Sequence, residues 1–574
     1  MKKIYLKLIA LVLIPFGLYS QTKESVTSEI VAKTLSGNSV SSSLANAAPT
    51  ISFNTTASKF VDLTGSTPVI SCVMNNSTDP FIISGIDINV TDEDLSTVTF
   101  SMTSSKTTVV SNSNFTITGN GNARKFKITP TGVGYTTLTL KITDLQGSNK
   151  SIKLKLAVSA SLPTAGIKDI YHTGVADGST AIPIDNDYMF IADDETNIIK
   201  LYSRNNSGLS IYQFDVTSYL NLTGGTEVDM EASFRSPTKP NRIYWIGSLS
   251  NSKSGVLRPD RDRIFATDIV GTGANATLTF VGYTDKLRSN IITWGDAKGY
   301  NFTAKAASGI EPKRIDGFNV EGLEIGPDNT TLYIGFRAPY VGTGKNKAII
   351  CPLLNFENWF GNGNPSANPT FGNPIELDLN NHGIRSLGKN ASNEYLIVAG
   401  SYAATGTFEL YKWNGLSTTT PTLLNADLTS LKVEGIVEVP ASLSGTYTVD
   451  LVSDLGSSIL YNDAVENKDV TEANHRKFLT STIQVTNPLG VGSFQKEDIY
   501  FYPNPVNSIL NVVFEENLFT KTNCRIYNDL GDLVKEETIN NTDGTASLDL
   551  SNLQTGLYFV NFPEINKVFR IIKK

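Results

Sequence analysis

Three short stretches of this chain share one form: Asp229-Met230-Glu231-Ala232, Val320-Glu321-Gly322-Leu323 and Val433-Glu434-Gly435-Ile436. Each sets a carboxylate at the head of a strand-like run. Carboxylates brought within a few ångströms of one another cannot all stay ionised unless a cation, a proton or a guanidinium offsets them. Donor sets made only of oxygen select calcium or magnesium over zinc. Glu231, Glu321 and Glu434, with Asp169 at the head of an earlier run, are therefore candidate ligands for Ca2+ or Mg2+. Arg337 and Arg385 fall at matching places in the pattern. Guanidinium groups grip phosphate or carboxylate in a two-pronged fashion, so both arginines, with Asp193 and Asp194 of Asp193-Asp194-Glu195, are candidate ligand-binding residues. The same residue types also fit a purely structural ring of Arg–Glu pairs that closes a channel, and the sequence leaves the two readings open.

Other chemistry is sparse. His172 and His382 lie close in sequence to Asp169 and Arg385 and could act as general bases, although isolated histidines are more often polar loop residues. No Gly-x-Ser-x-Gly elbow, His-Glu-x-x-His zinc motif or phosphate-binding Gly-Lys loop occurs. Asp92-Glu93-Asp94 could hold calcium or be a solvated acidic turn. The run from Arg258 to Arg263 is charge-balanced and reads as a salt-bridged loop. Cys72, Cys351 and Cys524 are too scattered for a metal site or a disulfide framework and read as buried thiols.

Positioning such residues falls to β-structure. Residues 163–485 carry recurring groups of strand-like runs. Tyr188–Ala192 with Ile198–Tyr202, Arg242–Ile246 with Arg263–Ala266, and Thr331–Arg337 with Lys347–Leu353 are examples, and two further groups start near Gly383 and Val433. Imperfect four-strand repeats over this length predict a β-propeller of five or six blades; residues 285–317 are an irregular insertion or a degenerate sixth blade. In that frame the inner strands begin with Asp169, Glu231, Glu321, Arg385 and Glu434, and the second strands end at Asp193–Glu195, Ser248 and Arg337. All would converge on one channel mouth. Upstream, residues 48–160 show short alternating runs, clearest at Leu138–Ile142, and predict a β-sandwich. The whole chain is expected to be all-β.

Bulk properties narrow the partners. Of 574 residues, 40% are hydrophobic and 18% charged, enough for several domains with cores. A net charge of -7 disfavours nucleic acid or an anionic membrane as the main partner. Lys2 and Lys3, an apolar run too short to span a bilayer and the polar Tyr19-Ser20-Gln21 predict a signal peptide over residues 1–20. Residues 21–47 and 486–497 read as linkers. No other segment has the roughly 20 consecutive apolar residues of a transmembrane helix.

Four resemblances add to this reading. Residues 498–574 open on Phe501-Tyr502-Pro503-Asn504-Pro505, continue through Gly531-Asp532-Leu533-Val534 and Thr555-Gly556-Leu557-Tyr558-Phe559-Val560, and end on Phe569-Arg570-Ile571-Ile572-Lys573-Lys574. The segment resembles the C-terminal sorting domain of the Bacteroidetes type IX secretion system. That resemblance implies a small β-sandwich, engagement of the secretion machinery, passage through the outer membrane and a secreted or cell-surface destination. Ile128-Thr129-Pro130 through Thr143-Asp144 and Gly147 resembles the closing strands of cadherin-like and other Ig-like bacterial modules. Ala192-Asp193-Asp194-Glu195-Thr196-Asn197, Val320-Glu321-Gly322-Leu323, Gly335-Phe336-Arg337-Ala338-Pro339 and Gly383-Ile384-Arg385-Ser386-Leu387 are similar to an uncharacterised bacterial propeller family known only as a domain of unknown function. The Val-Glu-Gly-Leu form is more distantly similar to esterase-like phytase propellers. The expected function is a secreted protein whose channel mouth binds an extracellular ligand, with or without a divalent cation. The alternative is a metal-assisted phosphoester or ester hydrolase.

Overall fold

The computed structural model describes residues 46–574 except 57–59, 224–225, 362, 364, 366–367, 488–498, 515–520, 541–544 and 564–566. The expected signal peptide, most of the first linker and most of the second lie outside the described residues. The fold is all-β, with short helices only between strands.

Apolar residues on alternate positions build the first domain. In Gly134–Thr143 every second side chain is buried, and the partner strand Asn149–Ser159 pairs with it along ten residues. Two four-stranded sheets enclose one core that includes Phe81, Phe126, Leu138, Leu140 and Cys72. One pairing is parallel, Val69–Val73 against Asn149–Ser159. Asp92-Glu93-Asp94 forms a local turn in which Asp92 Oδ1 accepts the Asp94 N–H at 2.9 Å and Asp94 Oδ1 accepts that of Ser96 at 3.0 Å.

The next segment forms five sheets in a ring. The first runs Gly178–Pro183, Tyr188–Asp193, Ile198–Ser203, Tyr212–Asp215; the second Met230–Arg235, Arg242–Gly247, Ile264–Val270, Thr277–Thr284. The third runs Asn319–Ile325, Leu332–Ala338, Ala348–Leu353, Ile375–Leu377; the fourth Gly383–Lys389, Tyr395–Gly400, Phe408–Trp413, Thr422–Leu423. The fifth starts with Val433–Ile436, Thr446–Ser453 and Lys477–Thr486, and its next strand comes from the other end of the segment, Lys168–Thr173. Each inner strand packs against the inner strand of the next sheet, and the fifth packs against the first.

Apolar faces drive this arrangement. One buried cluster lies between each neighbouring pair of sheets, for example Phe190 and Ile199 against Trp245 and Phe265 between the first and second. Sheets buried on both faces read as continuous apolar runs, which is why Leu332–Ala338 and Tyr395–Gly400 are buried throughout. Two glycines let inner strands touch: a Cβ on Gly435 would stand 2.9 Å from Ser179 O, and one on Gly322 would stand 2.7 Å from Ile384 Cγ2.

The structure decides one open alternative and corrects one expectation. Residues 285–317 are an insertion that holds the helices Leu287–Ala297 and Phe302–Lys305, and no sixth sheet of the ring is present among the described residues. Asp169 does not head an inner strand. Its strand is the one that closes the fifth sheet, so the first sheet begins ten residues later than the local pattern suggests.

Residues 499–574 form two further sheets, of three and four strands, around a core of Leu510, Val512, Cys524, Ile526, Leu548 and Val560. All three cysteines are buried and unpaired. Among the described residues no helix is long and apolar enough to cross a membrane.

Candidate functional site at one mouth of the ring

Each of the five inner strands slips register against its neighbour near its start, the third also between Asn319 and Val320. The slips fall between Gly178 and Thr180, Met230 and Ala232, Val320 and Gly322, Ile384 and Ser386, and Val433 and Gly435. The residue left over is Ser179, Glu231, Glu321, Arg385 and Glu434 in turn. A β-bulge breaks the strict alternation of side chains and re-aims one of them. The shared form noticed in the sequence is thus a repeated bulge, and Ser179 takes the place expected of Asp169.

On the side of the third to fifth sheets the charges pair. Glu321, 1% exposed, lies 2.8 Å from Arg337 Nη1 and 2.9 Å from Arg385 Nε, and its Oε1 also accepts from Asn319 Nδ2 at 3.0 Å. Arg385 reaches on to Glu434 through Nη2. Burial acts to raise the Glu321 pKa, but Arg337 and then Arg385 hold it below the ordinary value. Arg337 also donates from Nε to Tyr402 O at 3.0 Å and from Nη2 to Ala403 O at 2.6 Å. The expectation that Arg337 and Arg385 grip a ligand meets a physical obstacle here, because their guanidinium groups are turned onto protein carboxylates and carbonyls. Glu321 and Glu434 are likewise salt-bridged to arginine, which offsets their charge without a cation.

On the side of the first and second sheets the carboxylates outnumber the cations. Asp194, Asp229 and Glu231 each place an oxygen within 4.8 Å of the other two, and Asp177, Asp194 and Glu195 form a second such group. Asp194 belongs to both. Its Oδ1 is sealed from solvent and accepts no hydrogen bond. Burial first, and then the carboxylates of Glu231 and Asp229, push Asp194 well above the usual range. Glu231 is raised in the same way by burial and by Glu321 and Asp229. Asp177 is raised to about 8 by burial and by Asp454. Asp229 is salt-bridged to Arg261 at 2.7 Å, and its backbone holds φ 57°, a left-handed conformation that aspartate adopts more readily than most residues. Arg261 comes from the charge-balanced loop and also pairs with Glu227 at 2.7 Å.

The other expected residues lie elsewhere or play local parts. Asp193 Oδ1 accepts the Glu195 N–H at 2.8 Å, and burial raises its pKa to about 6. Asp169 binds Thr164 Oγ1 at 2.7 Å and Ser481 Oγ at 2.6 Å on the outer seam, apart from the inner-strand carboxylates. His172 is fully buried on the same seam, stacked on Phe478 and bonded to Thr480 Oγ1 at 2.9 Å; burial lowers its pKa to about 3. His382 faces Glu409 at 3.3 Å. Asp177 and Asp229 are the residues that sequence reading missed. The one signal for Asp229 was its place two residues before a repeated glutamate.

At the opposite ends of the inner strands a cavity of about 570 Å³ is lined by Ile182, Phe234, Leu387, Ile436 and the polar pair Glu324 and Lys389. Burial raises the Glu324 carboxyl to about 8, against the opposing pull of Lys389.

Comparisons with known proteins bear on the two ends of the chain differently. Residues 500–574 match the secretion system C-terminal sorting domain, and residues 310–446 match a protein family of unknown function, DUF3616. The chain therefore carries a secretion sorting tail that engages the type IX machinery, and its destination is the cell surface or the extracellular space. No curated protein matches. Among solved structures, the extracellular domain of a hybrid two-component system from B. thetaiotaomicron is similar at 9% identity, over 76% of this chain and 60% of that one, with a TM-score of 0.22. The extracellular domain of a one-component system from the same organism is similar at 9% identity, over 77% and 49%, with a TM-score of 0.23. A GH43 protein from Bacillus licheniformis is similar at 8% identity, over 70% and 90%, with a TM-score of 0.27. The chain spans between about half and three fifths of the two extracellular domains it matches.

Proposed function

We propose that this secreted protein is a binding protein whose five-sheet ring is a five-bladed propeller, preceded by an Ig-like module. In this reading the ring mouth holds a divalent cation, Ca2+ or Mg2+, through Asp194, Asp229 and Glu231, and the cation presents open coordination places to an extracellular ligand. The observation that carries the reading is the Asp194 carboxylate. Its Oδ1 is shut off from water with no hydrogen-bond donor, beside two other carboxylates at ligating distance. A buried carboxylate oxygen without a partner costs several kcal/mol, and a cation removes that cost. Calcium takes six to eight oxygens and tolerates irregular geometry, so three carboxylates leave about half of its coordination to water or ligand. Compared with the four ligands expected from sequence, only Glu231 stays in the set. Metal-assisted hydrolysis of a phosphoester or ester is the alternative use of the same cation, and no feature of the cluster favours it over binding.

The test is calorimetric titration of CaCl2 and MgCl2 into the chain lacking residues 1–20, beside Glu231→Gln and Glu321→Gln. Saturable binding that Glu231→Gln weakens and Glu321→Gln retains supports the proposal. Binding lost only in Glu321→Gln would return the site to the arginine side, and no binding at all would end the cation reading.

A further inference from the structure

We infer that the mouth opposite the acidic cluster is a second binding site, which takes a small organic carboxylate with an apolar body. The inference does not rest on the cation reading above. The cavity there holds about 570 Å³, within the range of small-molecule sites. The five inner strands build it in two tiers. Three residues beyond the bulged positions stand Ile182, Phe234, Glu324, Gly388 and Val437. One residue further stand Pro183, Arg235, Ile325, Lys389 and Glu438, and both tiers line the cavity. The inner tier is thus apolar apart from one carboxyl, and the outer tier carries the remaining charge.

The charges of this mouth do not cancel. Glu438 is bridged to Arg204 at 2.8 Å and so is already neutralised. Lys389 Nζ donates to two uncharged groups, Asn329 Oδ1 at 2.7 Å and Gly326 O at 3.3 Å. Burial lowers its pKa against the pull of Glu324 and Asp328. Arg235 donates from Nε to Pro240 O, and burial lowers its pKa with no carboxylate opposing. Neither cation forms a salt bridge among the described residues. Glu324 Oε1 accepts the N–H of Ile325 at 2.7 Å, and burial raises the carboxyl to about 8. The neighbouring Tyr395 hydroxyl is spent on Ile325 O at 2.7 Å. Two unpaired cations thus face the cavity beside a carboxyl that keeps its proton at neutral pH. A protonated carboxyl donates one O–H and an ammonium three N–H groups, and hydrogen bonds from such donors to a carboxylate are short and strong. The apolar inner tier covers the hydrocarbon part of the ligand, whose burial is favourable. An amine in the same place would meet Arg235 and Lys389 as like charges.

The test titrates three probes of one carbon skeleton, phenylbutyrate, phenylbutanol and phenylbutylamine, into the chain lacking residues 1–20. Calorimetry and ligand-observed NMR at pH 6.5 read the affinities. Saturable binding of the carboxylate is expected, with the alcohol about tenfold weaker and the amine weakest. Arg235 is exposed, so Arg235→Met leaves the fold in place. Arg235→Met and Lys389→Met are each expected to weaken the carboxylate about tenfold, with circular dichroism reporting that the strands remain. Glu324→Gln keeps a donor. It is expected to bind at pH 6.5 and to lose less affinity than the parent between pH 7 and 9, where only the parent gains a negative charge at this position. Glu231→Gln, at the other mouth, is expected to leave carboxylate binding unchanged. No saturable binding of the carboxylate, or tighter binding of the amine, would overturn the inference. Carboxylate binding that neither Arg235→Met nor Lys389→Met weakens would overturn it too, because the ligand would then sit elsewhere. Each of these failures leaves the cation proposal standing.

Discussion

Arg385 Nε lies 2.9 Å from Glu321 Oε2, with both side chains withdrawn from solvent. The two come from neighbouring inner strands, both at bulge positions, so the ion pair ties the third sheet to the fourth at the axis of the ring. Glu434 extends the tie to the fifth. Removing one partner of a buried pair leaves an uncompensated charge and costs about 3–5 kcal/mol. Arg385→Met is therefore expected to destabilise the ring by that amount, and Arg385→Met with Glu321→Leu by less than the sum of the two single changes. Urea unfolding followed by tryptophan fluorescence measures both, and additive losses would mean the pair is not coupled.

The cavity at the other mouth gives a pH dependence. The ordinary pKa of Glu324 is 4.5 and burial raises it to about 8 in the folded chain. Below pH 4.5 the proton is held in both states. Between the two values the unfolded chain has lost the proton and the folded chain keeps it, so stability falls as pH rises across that window. Lys389, the facing amine, is itself held below its usual value by burial. Glu324→Gln is expected to gain stability relative to the parent as pH goes from 5 to 8.5. Thermal unfolding at a series of pH values reads this, and parallel curves for the two proteins would contradict it.

The seam of the fifth sheet is expected to be the part on which ring closure depends. Phe478 is fully buried there, stacked on His172 at 4.6 Å between centroids. Phe478→Ala leaves a cavity and is expected to cost about 3–5 kcal/mol. Limited proteolysis should then cut near residues 160–170 first; unchanged resistance would show that the seam does not limit opening.

Export depends on the tail. Deleting residues 498–574 is expected to retain the protein inside the outer membrane, as measured by fractionation and immunoblotting. Normal amounts in the medium or on the surface would contradict the part assigned to the sorting domain.

Much of the ring was legible because burial on both faces writes itself as apolar runs such as Tyr395–Gly400, and because the bulge needs a small neighbour at Gly322 and Gly435. Glu231, Glu321, Arg385 and Glu434 were found together for that reason. Asp169 was misplaced because the strand that closes the ring pairs with residues 477–482, and no local pattern records so distant a partner. The true first inner strand, Gly178–Pro183, is made of small residues and carries Ser179 where the others carry charge. Nor could the sequence say which carboxylates would meet arginine. That choice is made between neighbouring sheets, and among the described residues it leaves Asp177, Asp194 and Glu231 without a salt bridge, while Asp229 pairs with Arg261.

The seam has a mechanical side. Lys168 pairs with Thr482 and Thr173 with Lys477, so the chain enters the ring and leaves this pair of strands at the same end. Tension applied along the polypeptide would load those hydrogen bonds one after another, as a zipper is opened, and not all at once in shear. The first domain fastens both ends of this seam: Asn76 Nδ2 donates to Asp169 O at 3.2 Å beside the pulled end, and Lys477 Nζ donates to Ser71 Oγ at the far end. In a protein held at a cell surface by one terminus, that fastening would decide the force at which the ring comes apart.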